Sequence, residues 1–137
     1  MEEYIIVGKI YKEKLGKYAL KIITEDVILT YERLYNHIFV YHKNEYEQIK
    51  EYIKEIIENP DFILEDNTHM DTLIFLKNIN QINKKARVVI KLATDRENRI
   101  YTKNSIITIM RQRDKSWEQT LKNKGRIIFC KCLDKYE

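Results

Sequence analysis

The sequence predicts an α+β domain, with helices first and an antiparallel sheet after them. Three observations carry this. Apolar residues recur at helical spacing between Tyr31 and Glu58. From Phe62 onward they gather instead into short β-branched runs separated by polar loops. The chain has 137 residues, 44% hydrophobic and 34% charged, which is one domain's length and a globular composition. A single domain over residues 1–137 is therefore expected.

The elements follow in chain order. A short strand is predicted at 5–11. Residues 20–29 are apolar but broken by Thr24, Glu25 and Asp26, which suggests two short strands around a turn. A helix starts near Tyr31, with Thr30 as N-cap and Glu32 in the positive first turn. Leu34, Ile38 and Tyr41 form its apolar stripe. A second helix is predicted over 45–58, where Tyr46, Ile49, Ile53, Ile56 and Ile57 keep the 3.6-residue period. Asn59-Pro60-Asp61 stops it, because proline cannot donate its nitrogen to the next turn. Strands are predicted at 62–64, 73–79, 87–93, 105–110 and 126–132. Within 87–93, Val88, Ile90 and Leu92 face one way while Arg87, Val89 and Lys91 face the other. This alternation describes a sheet packed on helices, with its other side open. A short helix over 114–124 carries Trp117 and Leu121, and Gly125 permits the turn into the last strand.

Charge is unevenly spread. Residues 1–83 hold 10 Lys/Arg and 15 Asp/Glu, a net of −5, and residues 84–137 hold 15 and 6, a net of +9. A basic half beside an acidic half points to a polyanionic partner. With 3 Gly and 1 Pro, no glycine-rich phosphate loop can be written, so side chains must hold any phosphate. The N-terminus is acidic and its apolar run is short, so no export signal and no membrane span are expected, and the site of action is expected to be cytoplasmic. Cys130 and Cys132 are two residues apart on a predicted strand and are read as reduced and structural.

No metal and no cofactor is expected. His37 and His42 are five apart, about 140° on a helix, whereas a zinc-binding HExxH needs four. General acid–base chemistry is open to them. Arg33 and His37, four apart, share a face. A second cluster is Asn104-Ser105-Ile106-Ile107-Thr108, and a third is Trp117 to Lys124. Each also has an ordinary reading: surface histidines, a β-favouring threonine and an amphipathic helix with a basic end.

In this order, the segments Glu32-Arg33…His37-Ile38…His42, Asn59-Pro60-Asp61-Phe62-Ile63, the "NSIIT" run and Trp117…Leu121-Lys122-Asn123-Lys124 resemble the phage-associated nucleases of the Barnase–EndoU–colicin–RelE (BECR) superfamily. Tyr41 precedes His42 where the resemblance would lead one to expect arginine. The resemblance implies N-terminal helices packed on an antiparallel sheet of about four strands. It also implies metal-independent RNA cleavage through the 2′-hydroxyl to a 2′,3′-cyclic phosphate, by a toxin or phage-borne effector. On this reading His37, His42, Thr108 and Lys122 are catalytic, and Arg33, Lys91, Asn104 and Arg111 bind substrate. The implied partners are RNA, tRNA among the candidates, and a neutralising immunity or antitoxin protein. Two other readings fit the same charge: a non-catalytic nucleic-acid-binding module, and a phage assembly or interaction domain.

Overall fold

The structure is a computed structural model that describes residues 3–95, 103–122 and 126–131; the side chains of residues 121 and 122 lie outside that description. The β-branched runs become strands β3 (Phe62–Glu65), β4 (Thr72–Ile79), β5 (Lys84–Lys91) and β6 (Asn104–Arg111). These pair antiparallel in the spatial order β6-β5-β4-β3. The sheet does not stop there. Strands β1 (Tyr4–Lys9) and β2 (Asp26–Thr30) extend one side, and β7 (Ile127–Cys130) extends the other. Among the described residues the sheet thus has seven strands rather than about four, and it is mixed, since β2 runs parallel to β6. The sequence shows strands one at a time; which strand each one meets depends on long-range pairing. Of the apolar stretch 20–29, only the β2 part pairs as a strand, while Ile22 makes a single bridge to Thr94.

One irregular helical path runs from Tyr31 to Glu58 and packs on one face of this sheet. It comprises α1 (Tyr31–Arg33), a π-helical segment (Leu34–Ile38), α2 (Phe39–Ile49), a 3-10 turn (Lys50–Tyr52) and α3 (Ile53–Glu58). The Thr30 side chain accepts from the Arg33 N–H at 3.1 Å, as an N-cap should. The two predicted helices are therefore joined, but α2 is kinked at His42 (φ −140°, ψ 30°). Leu34 and Ile38 are buried as predicted, whereas Tyr41 is exposed. The wider turn of the π segment shifts the helical phase, so Tyr41 rotates off the stripe.

The larger core lies between this path and the sheet. Ile38, Ile49, Ile53, Ile56 and Ile57 meet Ile63, Leu73, Phe75, Val88 and Ile90 there. Gly8 lets the first strand approach. Its φ of +153° suits glycine, and a Cβ would stand 3.0 Å from Glu58 Oε2 and 3.1 Å from Ile57 Cδ1.

The other face of the sheet was expected to be open. It is partly covered by α4 (Asp114–Lys122). Trp117 packs edge-on against Phe62 with centroids 5.2 Å apart, above a small core of Phe62, Leu64, Ile74, Leu76 and Val89. Lys85 ties the start of α4 down through Asp114 at 2.9 Å. Cys130 is a free thiol packed on this core; Cys132 and Gly125 lie outside the described residues.

Candidate functional site

The kink in α2 gathers the polar groups on the helical side. The rings of His37 and His42 lie 6.3 Å apart, and Tyr41 is 5.3 Å from His37. His42 Nδ1 is 3.1 Å from Glu45 Oε1, three residues on. The other oxygen of Glu45 accepts from the backbone N–H of Arg111, at the end of β6. Glu45 thus orients one histidine and anchors it to the sheet. With Nδ1–H donating to the carboxylate, the lone pair of a neutral His42 lies on Nε2. Burial, then the charges of Arg33 and His42, pull His37 below its ordinary pKa of 6.5, against a weaker pull from Glu32. His37 is therefore mostly neutral at pH 7 and can accept a proton. Exposed aromatic surface adjoins the pair: Tyr35 stacks on Tyr31 at 6.1 Å, and Tyr35 and Tyr41 are both more than half exposed.

The far face of the sheet holds different chemistry. Between α4 and the strands lies a cleft of about 250 Å³ with Leu64 and Ile74 at its base and Arg87, Gln112, Ser116, Gln119, Thr120 and Arg126 around it. Arg87 Nε is buried with no hydrogen-bond partner among the described residues. Burial, and next the Arg126 charge, push the Arg87 pKa down, while Asp66 pulls it back. Arg126 Nε donates to the Glu65 carbonyl at 3.0 Å.

The sheet divides the eight residues singled out from the sequence. Arg33, His37 and His42 stand together on the helical side, and Arg111 reaches them through its backbone. Thr108 does not join them. Strict alternation from Ile106, which is in the larger core, would aim Thr108 at the helices too. Ile107 is instead an extra residue between the Ile106–Ile90 and Thr108–Val89 pairs, and this bulge turns Thr108 to the far face beside Val89. Its hydroxyl is buried there without a partner among the described residues. Lys91 shares that face and donates to the Met70 carbonyl. Asn104 is fully buried. Its amide accepts from Ala93 N–H at 2.8 Å and donates to the carbonyls of Thr24 and Asp26 at 2.8 and 3.0 Å. It fastens β2 to β6 and has no group left for a substrate. Lys122 closes α4, and its side chain lies outside the described residues.

Sequence reasoning missed Glu45, Arg87 and Arg126. A carboxylate three residues after a histidine was the available signal for Glu45, and an arginine in mid-strand the signal for Arg87. Among the described residues no three His, Cys, Asp or Glu side chains come together as metal ligands. No described helix is long and apolar enough to cross a membrane.

A family model described as phage-Barnase-EndoU-ColicinE5/D-RelE like nuclease 3 matches residues 5–106, and the chain belongs to that family. No curated protein and no solved structure matches it.

Proposed function

Taking membership of this nuclease family as the premise, we propose that the protein is an endoribonuclease that uses the 2′-hydroxyl of its substrate as nucleophile and needs no metal. The observation that carries the reading is the histidine pair at the α2 kink, one ring neutral and the other held by Glu45. Transesterification at phosphorus needs a base for the 2′-hydroxyl, an acid for the leaving 5′-oxygen and positive charge near the non-bridging oxygens. His37, kept unprotonated, suits the base. His42, held in place by Glu45, suits the acid. Arg33 and Arg111 supply charge from the same side. Tyr35 and Tyr41 offer planes on which unpaired bases stack, which favours a single-stranded RNA segment such as a tRNA loop.

The product is expected to end in a 2′,3′-cyclic phosphate, and a DNA strand of the same sequence is expected to stay whole. End-group analysis of an RNA incubated with the protein in EDTA checks both. Cleavage of the DNA strand, or products bearing only 3′-hydroxyl ends, would rule this chemistry out. A toxin or phage-borne effector role is part of the same proposal, with an acidic immunity or antitoxin protein as the neutralising partner. Growth arrest on cytoplasmic expression, lost in His37→Ala, tests it; harmless expression of the active wild type argues against it.

A further inference from the structure

We propose that the cleft between α4 and the far face of the sheet is a phosphate-binding site, and that the phosphate belongs to a nucleic-acid strand. The site is built from side chains on three elements. Arg87 comes from the middle of β5, Gln119 from α4 and Arg126 from the approach to β7. Arg87 Nε is buried and unpartnered, and neither arginine is in an ion pair among the described residues.

The two positive charges repel each other, and burial strips the Arg87 guanidinium of solvation that its charge requires. Among the described residues, Asp66 and Glu65 are already committed elsewhere. Asp66 acts on Arg87 electrostatically, but its oxygens accept from Thr68 at 2.8 Å and meet His69 Nδ1 at 3.2 Å. Glu65 gives Arg126 a carbonyl rather than its carboxylate, which holds Lys17 and Tyr18 instead. An anion entering the cleft would neutralise both arginines at once. Guanidinium forks match the spacing of phosphate oxygens, and Gln112 and Gln119 add amide donors. A volume of about 250 Å³ suits one phosphate with part of its sugar. The chain has no glycine loop to do this work. Only the assignment to a strand rests on the nuclease reading; the phosphate site stands on the cleft itself.

The test is a titration of the full-length, ¹⁵N-labelled protein, following the Arg87 Nε–Hε signal by NMR. The probes are inorganic phosphate, 5′-AMP and a short DNA strand, so no cleavage is required and failure of the nuclease reading leaves the result legible. A saturable shift of the Arg87 signal is expected with all three. Affinity should fall at least about tenfold in Arg126→Gln, and the strand should bind at least about tenfold more tightly than phosphate. Arg87→Gln, followed through the Gln119 side-chain amide, is the second variant if the first disturbs the fold. An Arg87 signal indifferent to all three probes at millimolar concentrations would overturn the site. Saturation by phosphate and 5′-AMP with no gain from the strand would keep the site and overturn the assignment to a strand.

Discussion

On its helical face the sheet is sealed by the larger core, and the titratable groups stand outside it, on the kinked helix. On its far face only a small core under α4 is sealed, and two arginines border the cleft left beside it. The difference shows how packing sorts chemistry. Where apolar contact is continuous, polar groups are displaced to a half-exposed rim, where partial burial and then neighbouring charges tune their protonation, as burial, Arg33 and His42 do for His37. Where coverage is incomplete, a cation can remain desolvated and unpaired, as Arg87 does. The first environment suits proton transfer and the second suits holding an anion.

The sharpest way to break this comparison is to mutate each face and read rate and binding separately. His37→Ala should lower kcat for RNA cleavage by about 10²–10⁴-fold with little change in KM. Arg87→Gln should act mainly by raising KM. Steady-state kinetics on one RNA substrate measures both, and equal effects on kcat and KM in the two variants would erase the distinction.

Stability should divide along the same line. Phe75→Ala, in the larger core, should cost about 3–5 kcal/mol. Trp117→Ala, on the far face and only half buried, should cost clearly less in the same urea titration. Asn104→Ala should cost ~3 kcal/mol, because a buried donor and two carbonyls lose their partner.

The smallest expected effect is on pH dependence. Burial and then Arg33 depress the His37 pKa, so removing Arg33 relieves part of the depression. The protonated form is the one disfavoured. The acid limb of kcat/KM against pH should therefore lie below 6.5 in the wild type and move up towards 6.5 in Arg33→Gln. An acid limb that stays fixed in Arg33→Gln would remove His37 as the titrating base.

Much of this was legible locally. The Thr30 cap, the stop at Asn59-Pro60-Asp61 and the two-faced alternation of β5 follow from residue types whose preferences act over a few positions. The histidine pair was visible because titratable groups stand out on a helix. What was hidden is non-local or is one residue of slippage. The parallel pairing of β2 with β6, which brings β1 into the sheet, is decided by tertiary packing. The π segment swings Tyr41 outward without any glycine or proline to announce it. The bulge at Ile107 turns Thr108 away from the histidines, although Ile106, Ile107 and Thr108 read as an ordinary strand. Asn104 reads as a substrate contact only through the resemblance carried by the NSIIT run; its three backbone partners reveal a fastener.

On the proposed reading, the helical face performs the chemistry through its histidine pair. The most direct test is the single-turnover rate at which the wild type and the His37→Ala/His42→Ala double variant cut an end-labelled RNA in EDTA. Cleavage by the wild type and background rates for the folded double variant are expected. An intact RNA with the wild type, or equal rates for the two proteins, would contradict it.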